Sequence, residues 1–392
     1  HPTDFVSKGS AVAQESAIGT SGRYFNGMAT TRYNGRPLLL TEYGHVFWNR
    51  YRYEEGLMVG SYAALQDMDG LMAHANPVLL ASEDSPIKPF SVGRDPVARA
   101  SQVVTGFAWL RHDVAASPHK VEVTLKSDEI FGAARHARAL SADQAKLTLL
   151  TGVGLAFPEE PSPALPPMRK PDLRLPVFGT SEVRAAPLFS EVVESTSQAQ
   201  DLTSALTALR KVGILSAANR TDPTNGLFES DTGQIMLDAP HKRLQACTPR
   251  LAGACIDPAA LSGPVKLGVA TIESTSVAAA ITLIATDDRP LAESTHILLV
   301  YATDALNAGM RFTSPERATL ESLGTTQVLL KTGILKLSLA TPLARTFKLW
   351  ALALDGRRSE LLTASPSAKG VSLSIDTSRL KAATPFFELA AE

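Results

Sequence analysis

Apolar residues in the first third of the chain follow two rhythms. The run 36–41 (Arg-Pro-Leu-Leu-Leu-Thr) follows a Gly-Arg turn and predicts a short strand buried on both faces. Over 54–68, Leu57, Met58, Tyr62, Ala64, Leu65 and Met68 recur at helical spacing. A second strand is predicted over 70–75, entered by the Asp69-Gly70 turn. A second amphipathic helix follows over 95–113, with Asp95 suited to its cap and Pro96 to its first turn. Strand, helix, strand, helix in this order is the grammar of a parallel α/β unit.

Downstream the pattern changes. Prolines cluster between Pro158 and Pro176, the chemistry of an extended linker or wrapping loop. One helix is predicted at 197–212. Short apolar runs bounded by turn residues predict strands near 121–126, 146–153, 233–238, 264–273, 277–285, 296–302, 327–339, 346–354 and 371–375. The runs at 277–285 and 296–302 fit a buried helix on period alone, but their β-branched content favours sheet. Strands with turn signals about every ten residues predict a β-sandwich. The expected fold class is therefore α/β plus all-β. Residues 1–117 form the α/β portion; 118–226 hold the first sandwich strands, the proline-rich linker and a helix; 227–392 form the sandwich.

Composition mainly removes function classes. A chain of 392 residues holds about two or three domains. With 38 Lys+Arg against 39 Asp+Glu, it is neither a strongly basic nucleic-acid binder nor a polybasic membrane-surface protein. Its 44% hydrophobic content is that of a folding chain, and no run approaches the ~20 apolar residues of a membrane span. Cys247 and Cys255 either pair across a small loop or remain free thiols. The regular four-ligand spacing of a zinc site is absent. So are the Gly-x-Ser-x-Gly elbow, the phosphate loop and the dinucleotide fingerprint. Asp231 and Asp238 flank a predicted strand, but no ligand-dense calcium loop surrounds them. No cofactor or metal is expected.

The chemistry concentrates in 40–53. Glu42 stands directly after the first buried strand, where a parallel barrel presents catalytic residues. Six of the 24 aromatics (Tyr43, Phe47, Trp48, Tyr51, Tyr53, Tyr62) fall within the next twenty residues. Aromatic faces stack on sugar rings while His, Asn and Arg satisfy hydroxyls, the make-up of a carbohydrate cleft. The competing reading makes these aromatics core packing and pairs Glu42 with a neighbouring Arg. His74 and Asn76 end the second strand, and His1 and Pro2 are candidates for a remnant of a preceding loop. Glu54 and Glu55 begin a helix, where the helix dipole accounts for them without function.

The segments 36–43 and 62–70, with the aromatic Asn/Arg-rich loop between them, resemble the last part of a clan A glycoside hydrolase. Residues 95–114 are similar to the closing helix of its barrel. Residues 230–235 and 248–250 resemble the β-domain that bacterial polysaccharide hydrolases of this type append. The resemblance implies a (β/α)8 TIM barrel followed by a β-sandwich, in a secreted or periplasmic retaining enzyme acting on a polysaccharide or oligosaccharide. It makes Glu42 the catalytic nucleophile and Tyr43, His45, Trp48, Asn49 and His74 substrate-binding. A retaining glycosidase needs a second carboxylate about 5–5.5 Å away. In this clan that acid/base Glu follows an Asn at the end of the fourth strand, and no such segment precedes Glu42. A barrel takes about 250 residues, whereas 41 precede Glu42. The chain is thus expected to carry the last two βα units, with the rest of the barrel upstream or on a separate chain. A reading from another class is a non-catalytic carbohydrate-binding or structural β-sandwich module.

Overall fold

The structure is a computed structural model that describes residues 9, 11–74, 86–90, 92–125, 137–157, 170–178, 180–185, 190–193, 199–343 and 347–391. His1, Pro2, Asn76 and the proline cluster over 158–169 lie outside the described residues. Among the described residues, helices are few and strands many, and no helix is long and apolar enough to cross a membrane.

After a short helix α1 (Arg23–Ala29), the chain forms the expected parallel unit: β1 (Leu39–Tyr43), α2 (Glu55–Leu65), β2 (Gly70–Ala73) and α3 (Pro96–Thr105). The two strands pair in parallel, Leu39 with Gly70 and Tyr43 with Ala73, and make a two-stranded sheet of their own. Asp95 caps α3 as its position suggests, its Oδ1 accepting the Val97 N–H at 2.9 Å, with Pro96 in the first turn. Every residue of α2 is buried, because neighbours cover it on all sides. Against α3 it crosses at glycine. A Cβ on Gly56 would lie 2.5 Å from the Ser101 Cα, and one on Gly60 would lie 2.9 Å from the Thr105 Cα. Thr105 Oγ1 donates to the Gly56 carbonyl at 3.2 Å across the same contact.

The remainder is built on a nine-stranded antiparallel sheet. From one edge its order is Arg358–Leu362, Phe347–Leu352, Phe386–Ala391, His296–Ala302 and Ala279–Ala285. It continues through Leu251–Ile256, Arg243–Cys247, Ile235–Asp238 and Leu227–Glu229. A five-stranded sheet with Ile334–Ala340 at its centre faces it. Side chains alternate between two cores along each central strand. Ala252, Ala254, Ile281, Leu283, Leu299 and Leu389 join the five-stranded sheet in one core. Leu251, Cys255, Ile284, Val300 and Phe386 join α2 and α3 in the other. The arrangement is consistent with a β-sandwich carrying a helical layer on its larger sheet.

Several details differ from the pattern: 264–273 is a hairpin of Val265–Leu267 and Ala270–Thr275, and 327–339 is two strands, Val328–Leu330 against Ala305–Asn307 and Ile334–Ala340 in the five-stranded sheet. Residues 146–149 form a 3-10 turn, and the strand begins at Gly152. That strand, Gly152–Ala156, and Leu173–Pro176 flank Lys120–Thr124 in a separate parallel sheet rather than joining the sandwich. Parallel pairing needs a long crossover, and the stretch between 124 and 152, with its helical turns over 142–149, supplies one. The helix expected at 197–212 is Ala199–Lys211. Both cysteines are free. Cys255 lies opposite Leu244 and Cys247 opposite Ala252, so the thiols, an odd number of residues apart in the ladder, point to opposite faces.

The N-terminal segment is held by a buried carboxyl. Glu54 has no exposed surface, and its two oxygens accept from Ser16 Oγ at 2.7 Å and the Ile18 N–H at 3.0 Å. Burial pushes the Glu54 carboxyl up to about 7, against the opposing pull of those hydrogen bonds. An acid with a raised folded-state pKa binds its proton more tightly when folded. Its contribution to stability is therefore complete below about 4.5 and is lost as pH rises through about 7. Glu54→Gln keeps the shape without the titration. Urea unfolding of both proteins at pH 4.5 and 8 is expected to show the wild type losing on the order of 3 kcal/mol relative to the variant. A difference that stays constant with pH would contradict this.

Candidate functional site

β1 and β2 deliver their last residues to one place. Glu42 is the penultimate residue of β1; its side chain is 66% exposed, and its Oε1 lies 2.6 Å from Nδ1 of His74, just past β2. The His74 ring meets Phe90 edge-on, with centroids 4.5 Å apart. Beyond β1 the backbone turns at Gly44, whose φ of +146° side chains rarely adopt. The Gly44 N–H donates to the Tyr24 hydroxyl at 2.7 Å. His45 then folds back onto α2. Its backbone N–H and Nδ1 both reach Glu55 Oε2, at 2.8 and 2.9 Å, while its ring lies 4.7 Å from that of Tyr24.

Tyr43, 3% exposed, points the other way, and its hydroxyl exchanges hydrogen bonds with Gln102 of α3. Burial raises the Tyr24 and Tyr43 phenols above their ordinary range, so both act as neutral hydrogen-bonding groups. Beneath them Arg52 pairs with Asp95 in the interior and donates to the Ala305 carbonyl at 2.9 Å. Burial raises the Asp95 carboxyl, while Arg52 and the cap bond to Val97 oppose that shift.

Of the residues expected to form the site, Tyr43, His45 and His74 line one cavity, and Glu42 is joined to it through His74. Trp48 and Asn49 are not brought there. Trp48 has no exposed surface and packs with Phe47, Ile87 and Leu320. Asn49 is buried, accepting the Tyr51 N–H at 2.8 Å. An enclosed indole offers no face to a sugar ring. Tyr24, Phe90 and Gln102 belong to the arrangement without having been singled out by pattern, and Glu55, which the helix dipole was expected to account for, holds His45. Gln102 reaches the cavity from α3, where Ala98 one turn earlier also lines it. The cavity holds about 30 Å³, room for a water or two and not for a sugar ring.

Chemically, the cluster presents one accessible carboxylate with an imidazole on one of its oxygens. Among the described residues no group of three or more His, Cys, Asp or Glu side chains is placed to hold a metal ion. No protein-family model, curated protein or solved structure matches the chain.

Two phenols test the polar geometry. Tyr24→Phe leaves the Gly44 N–H without its acceptor and is expected to cost about 1–3 kcal/mol in chemical denaturation. The Tyr62 hydroxyl is buried and has no partner among the described residues. Tyr62→Phe is therefore expected to be neutral or stabilising. Equal losses in the two variants would refute the assignment.

Proposed function

We propose that this chain supplies the nucleophile half of a retaining, polysaccharide-degrading glycoside hydrolase. The observation that supports it most is the placement of Glu42. Its exposed carboxylate stands at the C-terminal end of one parallel strand and bonds a histidine at the C-terminal end of the next. α/β folds with parallel strands gather catalytic groups at that end. In this reading β1–α2–β2–α3 are the last two units of a (β/α)8 barrel. The second carboxylate comes from a barrel portion outside this sequence, on the same or a separate chain, and the whole acts outside the cytoplasm.

The chemistry follows from the hydrogen bond. His74 occupies Oε1 of Glu42, which leaves Oε2 to attack the anomeric carbon. A glycosyl ester forms as the bond to the leaving oxygen breaks, and that oxygen takes its proton from the acid/base carboxyl. Water, deprotonated by the same group, then cleaves the ester and restores Glu42. Tyr43, His45 and His74 border the substrate in this scheme. Trp48 and Asn49 take no direct part in it, Trp48 packing against Phe47, which lines the cavity.

The small volume beside Glu42 favours a second reading, a carbohydrate-binding or structural sandwich module without turnover. A glycan panel assayed with this chain and with the full-length protein separates the two. The hydrolase reading predicts turnover by the full-length protein, lost about 10³-fold or more in Glu42→Gln with glycan binding and thermal unfolding retained. Undiminished turnover in that variant would remove Glu42 from the mechanism. Binding without turnover by either protein would establish the module.

A further inference from the structure

The helical layer does not cover the whole of the larger sheet. Past α3, above Phe347–Leu352, Phe386–Ala391 and His296–Ala302, a cavity of about 410 Å³ remains. Its floor is Leu298, Leu352 and Phe386, one side chain from each of these three neighbouring strands. Val103 of α3 walls one side, and the turn at Leu354–Gly356 closes another. Leu354 is exposed. The volume lies in the range of small-molecule sites, which are mostly apolar with a few placed polar groups.

The polar group here is Arg99. Its Nε donates to the Gly93 carbonyl at 2.7 Å and its Nη1 to the Leu354 carbonyl at 3.0 Å. These bonds fix the guanidinium at the rim and leave other N–H groups of its five unused. Among the described residues no carboxylate pairs with it. Asp355, the acidic residue of the rim, is engaged by Arg357, with contacts of 2.7 Å. Among the described residues the mouth thus carries one uncompensated positive charge over an apolar floor.

We propose that this cavity binds a small amphipathic carboxylate, with its alkyl or aryl body on Leu298, Leu352 and Phe386 and its carboxylate on Arg99. The proposal stands apart from the hydrolase reading, since it uses neither Glu42 nor a glycan. A neutral apolar molecule would leave Arg99 unanswered, and a cation would be repelled. The shared helix α3 places Gln102 at both this cavity and the cluster around Tyr43.

Titration calorimetry with decanoate, and with decanol as the uncharged control, tests it. The native protein is expected to bind decanoate saturably at one site. Arg99→Gln is expected to weaken decanoate about tenfold while changing decanol less than twofold. Val103→Trp fills the cavity from the helix and is expected to abolish both. Leu354→Trp does so from the exposed turn and decides the matter if the helix variant does not fold. No saturable decanoate binding, equal response of decanoate and decanol to Arg99→Gln, or binding that survives in the folded tryptophan variants would each overturn the proposal.

Discussion

The central strands of the nine-stranded sheet are buried on both faces, and most of the molecule follows from covering them. A sheet with two apolar faces needs a partner on each. The five-stranded sheet answers one side and the α2–α3 layer answers the other. The all-buried run of Leu251–Ile256 and the all-buried α2 express this same demand from the two sides of one contact. Where the helices stop short, the sheet keeps an open apolar floor beside Arg99.

The cluster around Glu42 inherits its position from that layer. Arg52 links three parts at once: the start of α2, the cap of α3 through Asp95, and, through the Ala305 carbonyl, the strand Ala305–Asn307 of a small two-stranded sheet in the β-rich part. A buried pair of this kind adds little net stability, because desolvation offsets most of its attraction, but breaking it strands a charge. It ties α3, and with it Gln102 and Tyr43, to the β-domain. The glycine crossing of α2 on α3 leaves little freedom for either helix to shift alone.

Local rhythm made much of this legible. Helical spacing found α2, α3 and the Asp95 cap, and β-branched runs found Ala279–Ala285 and His296–Ala302. Leu251–Ile256 escaped because Leu-Ala-Gly-Ala-Cys-Ile is built of small residues with weak strand preference, although it lies deep in the sheet. The site was legible in part. A strand-ending carboxylate announces itself, as Glu42 does, but aromatic density says nothing of direction, and Trp48 proves to be interior. Tyr24 reaches Gly44 across 20 residues and Gln102 reaches Tyr43 across 59. No local pattern encodes contacts of that separation.

The two-faced sheet also changes what holds its strands in step. In a half-buried sheet, slipping a strand by one residue turns its apolar side to water, and hydrophobicity alone forbids it. Here the same slip would exchange one interior for another. What opposes it is shape: Gly253 sits beneath Leu57, where an added Cβ would come within 2.9 Å of the leucine methyl and make that side chain shift. Moving Ala252 or Ala254 into that place would meet the clash. A single missing methyl group acts there as the alignment mark for the strand.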